Sequence, residues 1–132
     1  MSQSSTTGSV KDGVFRFGVR HGVLKGYKKL AGGEIVTLRI PENAHAVKAA
    51  CYSEEHKVRA SHAEVLKIEI PVYDAKYVTE NDSYVGRSMY DLRFIYKKGK
   101  TVWPRKPFDL NPTEDCASGI HFFLKRKDAE NY

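Results

Sequence analysis

The residues of this chain best suited to chemistry stand close together late in the sequence. Glu114, Asp115, Cys116 and Ser118 lie between Asn111 and the strand-like run Gly119-Ile-His-Phe-Phe-Leu124, and His121 lies within that run. A cysteine beside an imidazole makes a nucleophile and base, because the imidazole takes the proton that keeps the thiol inert. Cys116 and His121 have the right types without the local spacing. Five residues of extended chain reach roughly 16 Å, far beyond a hydrogen bond. A partner for Cys116 would have to come through the fold, from His45, His56 or His62. The plainer account makes Cys116 a small buried hydrophobe and His121 a packed strand residue. Whether His121 points into a cavity or into packed apolar side chains decides between the two.

His45, Cys51, His56 and His62 are a second group of donors that zinc would accept. None of their separations is that of a structural knuckle, so solvent-facing or core histidines account for them and no metal is expected. Gly32-Gly33 and Lys98-Gly99-Lys100 are turn residues and not phosphate loops, since neither opens a helix after a strand. No cofactor is implied. The net charge of +6 comes from 22 Lys and Arg against 16 Asp and Glu, and the surplus is uneven. Lys97, Lys98, Lys100, Arg105 and Lys106 form a basic run with no acid among them, and Tyr96 and Trp103 stand beside them. That mixture suits a single-stranded nucleic-acid platform. Lys97, Lys98, Lys100, Trp103, Arg105 and Lys106 are therefore the candidate binding residues, for an anionic partner held mainly by charge. The plainer account is a hairpin with a solvated lysine face.

Strands must position these groups. Leu24 to Leu30 and Glu34 to Ile40 flank Gly32-Gly33 and predict a hairpin, with Val36, Leu38 and Ile40 on one face. Ala63 to Ile70 predicts another strand, with Leu66, Ile68 and Ile70 inward and Pro71 as its stop. Leu92 to Tyr96 and Thr101 to Trp103 predict a second hairpin around Gly99, and Gly119 to Leu124 the last strand before a helical pattern. Val14 to Arg20 reads as a first strand or arm, residues 43–62 as a short helix or loop, and Tyr73 to Tyr90 as a long irregular connection. The expected core is Leu24, Val36, Leu38, Ile40, Leu66, Ile68, Leu92, Phe94, Ile120, Phe122 and Leu124. Hairpin-joined strands argue for a sheet-rich α+β domain, antiparallel or mixed and possible as a barrel, with one or two short helices. The expected limits are a flexible tail over residues 1–10 and a single domain over 11–132.

The apolar fraction of 41% in 132 residues is enough for a core. No apolar run approaches a membrane span, and the N-terminal residues lack the pattern of a secretory signal. Cys51 and Cys116 are too few for a disulfide framework and are expected as free thiols, in a soluble cytoplasmic protein.

The segments Gly26-Tyr-Lys-Lys-Leu30, Ile35-Val-Thr-Leu-Arg-Ile-Pro41, Arg59-Ala-Ser-His-Ala-Glu-Val-Leu66, Val102-Trp-Pro104 and Glu114-Asp-Cys-Ala-Ser-Gly-Ile-His-Phe-Phe123 occur in one order. In that order the chain resembles an uncharacterised domain family of protists, large DNA viruses and phages, sometimes C-terminal to pentapeptide repeats. The resemblance covers residues 22–132, and Cys-x-Ser-Gly-Ile-His-Phe-Phe is its most specific piece. It implies a fold and its limits, and no activity. Gly119-Ile-His-Phe is also similar to the Gly-x-His/Tyr-Phe strand of ADP-ribosyl-transferring enzymes, with Arg20-His21-Gly22 upstream. That likeness adds His21 to Cys116 and His121 as catalytic candidates, although no motif places a glutamate as the acid. The reading that results is a non-catalytic binding or accessory module with a protein or anionic partner and no membrane. Its rivals are weak single-stranded nucleic-acid binding through the basic hairpin, or an enzyme built on the Cys116–His121 segment.

Overall fold

Apolar alternation broken by glycine and proline makes strands, and nearly every element among the described residues is one. The computed structural model describes residues 8–11, 14–17, 24–41, 44–47, 57–73, 76–80, 82–107 and 119–132. In chain order these give β1 (Gly8–Lys11), β2 (Val14–Phe17), β3 (Leu24–Lys29), β4 (Ile35–Ile40), β5 (Ala46–Val47), β6 (Lys57–Ala60) and β7 (Ala63–Pro71). They continue with β8 (Tyr77–Thr79), β9 (Val85–Arg87), β10 (Ile95–Lys97), β11 (Thr101–Val102), β12 (Ile120–Phe123) and the helix α1 (Arg126–Glu130). β1 pairs with β2, and β9 with β10. The other eight strands form one antiparallel sheet in the order β11-β7-β4-β3-β12-β6-β5, with β8 also on β7. Among the described residues, no helix is long and apolar enough to cross a membrane.

The β3–β4 hairpin is the one the sequence predicts. Gly33 takes φ 85° and donates its N–H to the Leu30 carbonyl at 3.0 Å, closing the turn. Val36, Leu38 and Ile40 are fully buried, as the alternation requires.

Connectivity dictates the sheet's shape. β6 runs into β7 through Ser61 and His62 alone, yet β12, β3 and β4 stand between them in the sheet. Laid flat, four strand spacings would separate β6 from β7 by roughly 19 Å. Three peptide steps reach at most about 11 Å. The sheet must curl until its halves face each other, with β6–β7 as a bent strand at the corner. Val36, Leu38 and Ile40 from one half then meet Val58, Ala60, Ile120 and Phe122 from the other on the concave side. The ladder stays open among the described residues, so the barrel that the strand count allowed does not close.

On the convex side, α1 buries Ala129 against Ile35 and Phe123, with Tyr27 and Tyr77 at the margin. Five residues are too few for a helix to stand alone, so docking holds it. Arg126 supplies the anchor. Its guanidinium reaches Glu69 at 2.5 Å and Glu130 at 2.7 Å, and lies 5.0 Å from the centre of the Tyr77 ring. Partial burial works against the charge, but the two carboxylates outweigh it and raise the Arg126 pKa above its ordinary value. Arg126→Ala should therefore undock α1 while costing only about 1 kcal/mol overall, because the pairs are partly solvated. Hydrogen exchange checks this: the Asn131 N–H, bonded to the Lys127 carbonyl at 3.0 Å, should exchange faster while sheet amides keep their protection.

Several expectations change. Residues 43–62, expected as helix or loop, contribute β5 and β6 where they are described, and the Tyr73–Tyr90 connection contains β8 and β9. α1 is the one helix among the described residues. β10 and β11 flank a turn at Gly99, with φ 84°, but are not partners. Val65 explains why: it accepts from the Gly99 N–H at 2.8 Å and donates to the Lys100 carbonyl at 2.9 Å, so the edge of β7 captures the chain past the turn. Leu92, expected in the core, is 60% exposed. Leu66 is only half-buried, because β7 carries a bulge, and Ile70 is half-buried beyond the last β7 residue paired with β4. Leu38 faces Val65 while Thr37 faces Lys67, which leaves Leu66 as the extra residue and moves the inward face from Val65 to Ile68. The Leu24 side chain lies outside the described structure.

Candidate functional site

β3 and β12 are sheet neighbours, yet their ladder registers one pair, Phe123 with Tyr27. Beyond it, towards Lys28, Lys29 and the start of β12, the strands part. Lys28 stands in the parting. Strand alternation puts it on the concave face opposite buried Val36, where an apolar side chain would be expected. It is 8% exposed, and its amine donates to the His121 carbonyl at 2.9 Å. The side chain thus supplies a donor where a regular ladder would supply a backbone N–H.

The parting opens a cavity of about 540 Å³ between β3, β12, the 88–96 segment and Tyr132. That volume lies within the range of small-molecule sites. Phe94, Tyr96, Phe122 and Phe123 give it an aromatic wall, and Lys28, Lys29, Ser88, Asp91 and His121 are among its polar groups. Tyr96 is buried, and burial pushes its phenol well above the usual range. Tyr132 packs between Phe123 and Tyr90, with centroids 5.3 and 6.4 Å away.

Two polar groups of the wall are engaged in holding their own segment. Ser88 Oγ accepts from the Tyr90 N–H at 3.2 Å. Asp91 accepts from the Arg93 N–H at 3.0 Å and pairs with the Arg93 and Arg105 guanidiniums at 3.2 Å each. The Arg93 backbone bond, with both guanidiniums behind it, holds the Asp91 carboxyl below its ordinary range. Asp91 is thus paired with two arginines, and the Lys29 amine donates to the Glu130 carbonyl at 3.3 Å.

His121 is among the residues around the cavity, while its ring Nε2 is buried. Cys116 and His21 lie outside the described residues, as do Cys51 and His56. Among the described residues, no three potential metal ligands gather.

The basic run is divided by the fold. Lys97 belongs to β10 and its two-stranded ladder, whereas Trp103 follows β11 on the large sheet. Acids reach the run through space: Asp82 pairs with Lys98 at 3.0 Å, and Asp91 with Arg105. Lys100 and Lys106 are exposed. Tyr96, expected as a stacking partner for bases, is buried and cannot stack. Trp103 is 60% exposed and stacks on His62, with centroids 4.2 Å apart and planes 18° from parallel. Burial, and then the neighbouring His45, lower the His62 pKa from its ordinary value, which keeps the ring neutral at pH 7. Ser61 Oγ accepts from the His45 N–H at 3.0 Å and lies 3.1 Å from His62 Nδ1.

Sequence reasoning missed Lys28. The signal was there: Gly26, Lys28 and Leu30 alternate onto one face, and a lysine among them needs a reason to be inside.

No solved structure matches the chain. The uncharacterised protein L223 of Acanthamoeba polyphaga mimivirus is 44% identical to it over 100 residues, which are 74% of this chain and 61% of that protein. The chain thus spans about three fifths of that relative's length. A family model matches residues 14–129, a stretch that holds β2 to β12 and most of α1. By that match the chain belongs to the family of unknown function DUF5758.

Proposed function

We propose that this domain is a non-catalytic binding module that holds a small amphipathic anion in the cavity between β3 and β12. The observation that carries the reading is Lys28, a lysine buried on an apolar strand face with its amine at a cavity of about 540 Å³. Interaction with a cation strengthens as water is excluded, so an anionic group gains more here than at the surface. Phe94, Phe122 and Phe123 suit a planar apolar body beside that group.

The test uses 2-naphthoate and its neutral isostere 2-naphthamide, followed by amide chemical shifts at Ser88, Phe94, Gly119 and His121. Naphthoate should bind about tenfold or more tighter than the amide, and Lys28→Met should erase the difference while leaving the spectrum folded. Equal affinities in the unaltered protein, or no shifts with either compound, would sink the proposal.

The place of His121 in the wall favours a second reading, an enzyme using Cys116 and His121. An activated thiol would alkylate with iodoacetamide near neutral pH much faster than an ordinary one, and His121→Asn would slow it. Identical rates for Cys116 and Cys51 would count against this.

A further inference from the structure

The convex face of the sheet carries a second surface, independent of the cavity. Ladder register fixes which side chains share it. Lys25 stands opposite Arg39, Arg39 opposite Glu64, and Glu64 opposite Thr101. The Arg39–Glu64 ion pair at 3.0 Å puts both side chains on one side. Val102 is buried opposite Ala63, so Thr101 and Trp103 face outward by the period of two. Lys67 faces outward beside buried Ile68 and approaches Glu69 at 3.8 Å. Lys25 is exposed, and the Arg39 and Lys67 side chains are 41% and 45% exposed.

Three neighbouring strands of the sheet thus bring Lys25, Arg39 and Lys67 onto one face. Of the two acids in these rows, Glu64 engages Arg39, and Glu69 is largely buried against Arg126. At the edge of this face stands Trp103, with one ring surface on neutral His62. An indole 60% exposed at the edge of the face that carries these cations supplies a stacking plane to go with their charged track, the two parts of a single-strand site.

We infer that this face binds single-stranded nucleic acid, with phosphates along Lys25, Arg39 and Lys67 and a base stacked on the outer side of Trp103. Neighbouring strands lie about 5 Å apart, so cations on β3, β4 and β7 can follow an extended backbone across the sheet. A duplex gains only the charge contribution, because its bases have no free face along its length. An acidic peptide has charge but no row of planar bases.

Trp103 is the chain's one tryptophan, so its fluorescence reports the site directly. Oligothymidylate should quench it, and affinity should fall with salt at a log–log slope of about −2, as expected for three cations on a single strand. Lys25→Gln with Lys67→Gln, both exposed positions, should reduce that slope by about 1.4 with an unchanged circular dichroism spectrum. Trp103→Leu, followed by anisotropy of a labelled strand, should weaken binding about 5- to 100-fold. Absence of quenching at low salt would overturn the inference, as would equal binding of a duplex or of polyglutamate. So would binding that survives the sheet variants but is lost in Lys98→Gln with Lys106→Gln, which would move the site to the hairpin.

Discussion

Phe122→Ala should lower the melting temperature by roughly 10–20 °C, the size expected when about 3–5 kcal/mol is lost from a domain of this length. Phe122 is 1% exposed and sits where the two halves of the curled sheet meet. It also lies against the backbone of β3 at Gly26. A Cβ built on Gly26 would stand 2.1 Å from Phe122 Cδ2, a distance no real contact reaches. Gly26→Ala must therefore push the ring aside, at a cost of roughly 1–3 kcal/mol or more. The pair gives a sharper test than either change alone. Once the ring is gone, the new methyl group has room, so the double variant should be more stable than the sum of the single losses implies. Thermal or urea unfolding of the four proteins measures this, and strict additivity would mean that Gly26 and Phe122 are not in contact.

The second large effect is expected at Glu34. The residue is 5% exposed, and its carboxylate accepts from the Gly32 N–H at 2.8 Å and from the Tyr84 hydroxyl at 2.6 Å. These bonds hold the β3–β4 turn against the strand region around β9. Glu34→Ala deletes a charged acceptor with two donors and should cost about 2–4 kcal/mol, while Tyr84→Phe should cost less, about 1–2 kcal/mol. The pH dependence has a defined sign. The bond to Glu34, then burial, then the charges of Glu34 and Glu80 push the Tyr84 phenol up to about 12 from an ordinary 10.0. Its contribution is complete below pH 10 and is lost as pH rises towards 12. Melting temperatures should hold until about pH 10 and then fall, and the fall should shrink in Tyr84→Phe. What remains belongs partly to Tyr96, whose buried phenol resists ionisation in the same sense.

The part of this fold that reads directly from sequence is the part made by neighbours. The β3–β4 hairpin follows from Gly33 and from Val36, Leu38 and Ile40, and both partners lie within one short window. β12 and α1 follow from one apolar run leading into a charged helical pattern. Long-range capture defeated the rest. Thr101 and Val102 pair with β7 instead of β10, because the Val65 backbone takes the chain past Gly99. Leu66 lost its inward place to a bulge, and no local residue type announces a bulge there. For the site, the sequence pointed to His121 but not to Lys28, whose role depends on β3 and β12 parting. The convex basic face was hidden for the same reason. Lys25, Arg39 and Lys67 are unremarkable surface cations until the ladder lines them up.

The position of β12 bears on how the chain reaches its native state. β12 lies between β3 and β6, yet among the described residues it follows every other strand in sequence. β3, β4 and β7 can assemble from contacts over modest separations, but the joint between Tyr27 and Phe123 closes a loop of most of the chain. Loop closure of that kind comes late and slowly. During synthesis, the edge of β3 is therefore formed and waiting while its partner is still being made. A waiting edge is a template for another chain, and lysines are among the residues that blunt one. β3 carries Lys25, Lys28 and Lys29 on that edge. Their charge disfavours pairing of that edge with a second chain before β12 joins it.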